Sequence, residues 1–532
     1  MKKNNWIIVL YLLIAFLFGV SVAVNFLPSR KTTLIGAQNN KLNEVLNYVN
    51  RYYVDSVNID SIYDEAISAV LHSLDPHSAY ATPEENRTMM ESLEGSFEGV
   101  GIQFNIMNDT VMVIATISGG PAEKAGVRAG DRIISVDGKS IIGTTNDKVF
   151  KLLRGKKGTK VKVGVRRPGF TDTYSYEITR NVIPTYTIDV AYMLDAHTGY
   201  IKMNEFGSTT VKEFQEAIAK LKRQGMTAMI LDLRGNAGGF LDAAIGVCDE
   251  LLPSKQKIVS VEGLKVRPEV FYATRKGSFE TGKVIVLIDD FSASASEIVA
   301  GAVQDNDRGF IVGRRSFGKG LVQRQFDLSD KSTIRLTTAR YHTPSGRCIQ
   351  RDYKNGTEAY YEEIYDRLAH GEMEYIDSIK QDKSIAYKTV GGRTVYGGGG
   401  IMPDEFVPLD TTKYTRFHRE LAAKSLVINA NLHYVDQHRK QLQQQYKTFA
   451  HYQQAFEMSQ EVIDGILHEA EQKGIKPKDD AELEQTLPYL RLQLKALVAR
   501  DLWGMDEYFA IMNDTNDVVI RALQLINQKQ NP

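Results

Sequence analysis

Between residues 183 and 410, short runs that are apolar at every position alternate with stretches of helical spacing. Met229-Ile230-Leu231 and Val284-Ile285-Val286-Leu287-Ile288 are two such runs, each followed by a turn and a helical pattern. Consecutive apolar residues read as strands buried on both faces. Strands alternating with helices imply an α/β layer. The rest of the chain has a different texture. Residues 36–92 carry helical spacing, with Leu42, Val45, Leu46 and Val49, then Ile62, Ala66, Ile67, Val70 and Leu71. Residues 93–182 are glycine-rich, with short alternating runs such as Val111–Ile114 and Val161–Val165, the pattern of a small β-rich domain. Beyond residue 410 only Gly465, Gly474 and Gly504 remain of the chain's 42 glycines, and a helical domain is expected over 411–532.

The chain's 532 residues exceed one compact unit. Lys+Arg and Asp+Glu are 65 each, so a basic surface for nucleic acid is not expected. Two cysteines, Cys248 and Cys348, build neither a disulfide framework nor a Cys-rich zinc site and read as free thiols. Trp6 to Leu27 is 22 residues without a charge, about 33 Å as a helix, enough for a bilayer core. Residues 1–31 therefore read as a membrane anchor through 6–27, with an exported body. A cleaved signal with a poor exit at Ser21-Val22-Ala23 is the alternative.

Small residues cluster at three strand ends. Asp232-Leu233-Arg234-Gly235-Asn236-Ala237-Gly238-Gly239 lies between a strand and a helical run. Its glycines either make a tight turn or bring N–H groups to a reacting oxyanion. Ser292-Ala293-Ser294-Ala295-Ser296-Glu297 starts a helix, and Ser294 with Glu297 fits an S-x-x-E capping box. A serine there is also placed to act as a nucleophile, and the two readings are compatible. Gly313 to Gly320 nearly matches a phosphate loop, but Gly320 replaces the hydroxyl residue that would hold Mg²⁺, and a strand-like run follows. Lys319 is then either a solvated loop lysine or a buried amine beside Phe317.

No histidine lies between His197 and His342, and H-E-x-x-H is absent, so no metal is implied. Lysine remains as a base for a serine. A free lysine has a pKa of about 10.4 and must be lowered by about three units to serve at neutral pH.

In this order the clusters resemble the carboxy-terminal processing (tail-specific) peptidases, a Ser/Lys family. The matching stretches are Leu74-Asp75-Pro76-His77-Ser78, residues 232–239, Ser292–Glu297, Phe317–Gly320 with Gln323, and Gly397–Asp404. The resemblance implies that Ser294 is the nucleophile, Lys319 the general base and Gln323 the residue that orients the amine. It implies a supporting role for Asp305. Backbone N–H groups of Ala295 and of Gly238 or Gly239 would form the oxyanion hole. Asn236-Ala237 departs from the commoner Asn-Pro without touching the chemistry. Residues 93–182 then resemble a PDZ module, with Gly99-Val100-Gly101-Ile102 as its carboxylate-binding loop. Such a module adds the substrate as a strand and holds its terminal carboxylate.

The expected architecture is multidomain α/β: a transmembrane helix (1–31), a helical segment (36–92), a PDZ-like domain (93–182), a crotonase-like Ser/Lys peptidase core (183–410) and a helical domain (411–532). The expected function is that of a membrane-anchored serine endopeptidase on the extracytoplasmic, periplasmic side. It would bind exported proteins by their C-termini, with no cofactor and no nucleic acid. The 411–532 segment would pack on the core or bind an adaptor or a second copy. An inactive PDZ scaffold, if Lys319 is exposed, and an α/β acyl-transfer enzyme are the competing readings.

Overall fold

The computed structural model describes residues 41–528 other than 108, 118, 168, 169, 171, 275, 380, 381 and 411. The apolar run 6–27 lies outside the described residues, and within them no helix is long and apolar enough to cross a membrane. The described residues divide into two compact units, with the boundary between Val70 and Leu71. The described part of the first holds the helix Lys41–Tyr52 and most of the helix Ile59–His72.

The second unit is multidomain α/β. Its central sheet has six strands, in the order Val190–Met193, Thr198–Lys202, Ala228–Asp232, Lys283–Ile288, Phe310–Gly313, Glu405–Phe406. The first pair is antiparallel and every later pair parallel. The two-residue period of a strand sends alternate side chains to opposite faces. Met229, Leu231, Val284, Val286 and Ile288 pack with Phe214, Ile218, Val247, Val299 and Val303 of the helices Thr210–Arg223, Leu241–Leu251 and Ala295–Asp305. Ile230, Ile285 and Leu287 pack on the other face against Val518, Val519, Ala522 and Ile526 of the helix Asp517–Asn527. The runs 229–231 and 284–288 are apolar at every position because both faces are covered.

The segment beyond 410 thus divides its apolar surface. Phe417, Leu421, Val435, Tyr452, Ile463, Leu490, Leu494 and Ile511 form a core of their own, while the last helix completes the second layer of the sheet.

A second sheet of five strands is built on the long strand Thr333–His342. Ala79–Ala81, Lys257–Gly263 and Leu321–Asp327 all pair with it antiparallel. Residues 102–179 form a β-rich body with the order Ile102–Met107, Thr110–Thr116, Arg132–Val136, Lys160–Arg166, Thr173–Thr179. Val113, Ile133, Val149, Val163 and Val165 fill its core. A short ladder, Ser96–Gly99 with Asn181–Pro184, closes its stem.

Candidate active site

The turn after Ala228–Asp232 is fixed before any functional residue is reached. Asp232 is fully buried. Burial disfavours its charge, but the Arg234 guanidinium, bonded at 2.6 Å, and the Tyr200 hydroxyl, also at 2.6 Å, hold its carboxyl well below the usual range. Asn236 then locks the turn onto the next one. Its carbonyl accepts from the Ala293 N–H at 3.0 Å and from the Ser296 hydroxyl at 2.8 Å, and its side-chain Nδ2 donates to the Met203 carbonyl at 2.9 Å.

The three serines of residues 292–296 are not equivalent. The Ser292 hydroxyl donates to the Leu233 carbonyl at 2.9 Å, and the Ser296 hydroxyl is spent on Asn236; both residues are fully buried. Ser294 opens onto a cavity of about 680 Å³. Its backbone has φ 55° and ψ −112°, a left-handed conformation rare for a residue with a Cβ. Gly238, at φ +105°, lies directly beneath. A Cβ there would stand 2.8 Å from Ser294 Cβ and 3.0 Å from the Ala295 nitrogen. Among the expected oxyanion donors, the Gly238 N–H is taken by Asn236 Oδ1 at 2.9 Å. Gly239 and Ala295 also line the cavity, and the Ala295 N–H, first in its helix, has no carbonyl within the helix to reach.

Lys319 lines the same cavity. Its pKa is lowered to about 8, by burial first and then by the Arg335 guanidinium; Glu297 and Asp75 oppose the shift. At pH 7 roughly a tenth of such a lysine is neutral, against well under a thousandth of a free one.

One carboxylate ties Ser294 to the lysine loop. Glu297, fully buried, accepts from the Ser294 N–H (2.8 Å) and the Lys319 N–H (2.8 Å) on Oε2, and from the Gly318 N–H (2.7 Å) and the Ser316 hydroxyl (2.5 Å) on Oε1. Burial raises its pKa, and those donors pull it back in part. The S-x-x-E spacing pointed to the contact with Ser294; its reach to Gly318 and Lys319 had no signal. The Tyr341 hydroxyl is a second tie, donating to the Lys319 carbonyl at 2.5 Å and lying 3.1 Å from the Ser294 carbonyl. Nothing in the sequence singled Tyr341 out.

Gln323 also lines the cavity, and its Nε2 donates to Thr337 Oγ1 at 3.3 Å. Asp305 is not brought into the cavity. It ends the helix that Ser294 begins, about 16 Å along. There it is buried against Arg347 (2.8 Å) and accepts from the Thr343 hydroxyl and the Ser345 N–H. His77 packs against Tyr360, with Nε2 3.0 Å from the hydroxyl; burial, then the nearby Lys319, push its pKa down to about 3. The cavity's apolar lining comes from Met89, Met90 and Leu93 of the helix Pro83–Leu93, with Phe240, Ile298 and Leu321. That helix starts where it does because Thr82 and Glu85 form a capping box and Pro83 sits in its first turn. Sequence spacing gave no hint that it reaches the cavity.

In the β-rich body, Gly99 to Ile102 leads into the free edge strand Ile102–Met107. The Val100 and Gly101 carbonyls accept from the Ala122 and Ile117 N–H groups. Gly101 takes φ +76°, where a Cβ would lie 2.9 Å from Ile183 Cδ1. Phe104 on the strand meets Phe150 of the helix Asn146–Leu153, ring centroids 4.9 Å apart.

Residues 197–359 match the model of peptidase family S41, residues 113–167 that of the PDZ domain, and residues 417–504 a family of unknown function. The carboxy-terminal-processing protease of Bartonella bacilliformis is 36% identical over 348 residues, 63% of this chain and 80% of that protein. The carboxy-terminal processing protease CtpA of Bacillus subtilis is 35% identical over 346 residues, 65% of this chain and 72% of that one. The solved photosystem II D1 C-terminal processing protease aligns at 29% identity over 59% of this chain and 91% of that chain, with a TM-score of 0.34.

Proposed function

Since this chain belongs to the carboxy-terminal processing proteases of peptidase family S41 and is a serine protease with a PDZ domain, we propose that Ser294 and Lys319 carry its chemistry. Ser294 Oγ attacks the scissile carbonyl while Lys319 Nζ takes its proton. The N–H groups of Ala295 and Gly239 receive the developing oxyanion. Lys319 returns the proton to the leaving amine, leaving an acyl-enzyme on Ser294. Water then attacks the ester, giving its proton to Lys319, which passes it back to Ser294. Gln323 orients the amine. The observation that carries this reading is the inequality of the three serines. Ser292 and Ser296 are buried with their hydroxyls bonded to carbonyls, and Ser294 alone of them shares a cavity with a lysine whose pKa burial has lowered. Asp305 supports the site from a distance, by fixing the far end of the Ser294 helix through Arg347.

The apolar lining favours substrates with apolar side chains beside the cleaved bond. The PDZ domain selects them: a C-terminal tail pairs with the edge strand Ile102–Met107, and the N–H groups of Gly99, Val100, Gly101 and Ile102 cradle its carboxylate. The 22 uncharged residues from Trp6 to Leu27 support a single-pass anchor, with the catalytic body on the extracytoplasmic side. The helical segment before the PDZ domain and the helical region after the core complete the five-part organisation. The region matching a family of unknown function is the place for an adaptor or a second copy.

The test uses the detergent-solubilised full chain and an unfolded protein with an apolar C-terminal tail, its terminus free or amidated. Wild type should cut the free-tailed substrate, cut the amidated one more slowly, and lose all cutting as Ser294→Ala. Wild-type cutting by Ser294→Ala would refute the nucleophile. Equal rates with and without amidation would refute carboxylate recognition.

A further inference from the structure

The motif Leu74–Ser78 has no part in the chemistry above, yet the fold bonds it to Thr337, the partner of the cavity-lining Gln323. Asp75 is buried, and its two oxygens are filled by donors. Oδ1 accepts from the His77 N–H (2.8 Å), the Ser78 N–H (2.9 Å) and the Thr337 hydroxyl (3.0 Å); Oδ2 accepts from the Ser78 hydroxyl (2.6 Å). The Ser78 oxygen in turn accepts from the Thr337 N–H at 3.1 Å, extending the ladder just before the strand Ala79–Ala81 begins.

Thr337 stands directly opposite Gln323 in the ladder between Leu321–Asp327 and Thr333–His342. The register slips at that point. Val322 pairs with Ala339 and Gln323 with Thr337, so Thr338 is the extra residue of a bulge. A bulge re-aims the side chains beside it.

The hydrogen bonds then run in one direction. Asp75 is ionised: burial raises its pKa, but the bonds from Ser78, His77 and Thr337 outweigh it and the net shift is downward. An ionised carboxylate only accepts, so the Thr337 hydroxyl spends its proton on Asp75. The Thr337 oxygen is left as an acceptor, and it takes Gln323 Nε2 at 3.3 Å. The amide's NH₂ end is held on Thr337, and its oxygen is the end left for the cavity. A free glutamine amide turns over readily. With its NH₂ toward Lys319, it would offer a donor to a group that needs an acceptor.

We propose that Asp75 and Thr337 are positioning residues that set the sense of the Gln323 amide, so that its oxygen and not its nitrogen faces the Lys319 amine. The inference rests on the Ser294, Lys319 and Gln323 reading above. It extends the site to a motif more than two hundred residues away in the chain.

Thr337→Val keeps the shape and removes the hydroxyl; Thr337→Ser keeps the hydroxyl. Cleavage of the unfolded substrate by the full chain should fall about tenfold in kcat for Thr337→Val with KM within about twofold, the signature of a lost transition-state contact. The acid limb of its kcat/KM profile should move to lower pH, because the ammonium loses its acceptor. Thr337→Ser should restore both. Gln323→Ala with Thr337→Val should be no slower than Gln323→Ala alone, because the hydroxyl acts only through the amide. If Thr337→Val does not fold by circular dichroism, Thr337→Ala takes its place in every arm. A Thr337→Val enzyme with the wild-type rate and limb overturns the proposal, as does a double variant in which the two losses multiply. Ser294→Ala, run alongside, separates the two levels. If it still cleaves, the site itself is wrong; if it is dead while Thr337→Val is unchanged, only the positioning chain is.

Discussion

At Ser294, a rare backbone conformation falls on the proposed nucleophile. A serine at φ 55° is tolerated because the backbone is tied down on its N-terminal side. Ala293 is bonded to Asn236, and the Ser294 N–H is bonded to Glu297. Gly238 leaves the room this needs. Gly238→Ala would add a Cβ 2.8 Å from Ser294 Cβ at φ +105°, so Ser294 or the 232–239 turn must shift. If Ser294 is the nucleophile, as proposed, a displacement of this kind costs about 100-fold in rate. Steady-state cleavage by Gly238→Ala should show that loss in kcat, and near-normal turnover would mean the turn yields without moving Ser294. The residue motifs were the legible part of the site. Small residues clustered at strand ends marked where to look, the resemblance to a Ser/Lys family picked out Ser294, Lys319 and Gln323 among them, and these three line one cavity. What spacing could not disclose is the wiring. Glu297 reaches Lys319, 22 positions further along the chain, and Tyr341 reaches Lys319 by the register of a strand whose own sequence reads as ordinary β.

At the scale of elements, alternation predicted which segments are strands but not what covers them. The apolar runs at 229–231 and 284–288 require cover on both faces. The sequence between 183 and 410 supplies helices for one. The other is covered by Asp517–Asn527, from the far end of the chain, and only the contacts of Val518, Val519, Ala522 and Ile526 reveal this. Helical spacing fixes a face, and the partner of that face is a tertiary fact. Val519→Asp would bury an unpaired carboxylate against Ile285 and Leu287, at a cost of roughly 3–5 kcal/mol. The melting temperature should drop sharply and cleavage with it. A melting curve like the wild type's would mean the helix does not close the sheet.

Across the second unit, separate bodies meet at specific contacts. The PDZ domain touches the helical region through Arg132 and Asp436 at 2.8 Å. It touches the cavity-lining helix Pro83–Leu93 through Arg154 and Glu91 at 2.7 Å. Both pairs are partly exposed, and such pairs contribute about 0–1 kcal/mol. The PDZ domain is thus joined to the cavity by the helix that supplies Met89 and Met90. Domain order was legible from changes in glycine content and periodicity. These joints were not, because a surface arginine looks the same whether its partner is water or Asp436.

The central claim, a serine activated by a lysine, is tested most directly by labelling the full chain with a serine-directed phosphonate and following the adduct by intact and peptide mass across pH. Below about 8 Lys319 holds its proton and cannot take another, so the rate should fall about tenfold per unit on that side and level off above it. The adduct should sit on Ser294 alone, and Lys319→Met should leave Ser294 unlabelled over the same time. An adduct on a different residue, or Lys319→Met labelling at the wild-type rate, would contradict the account.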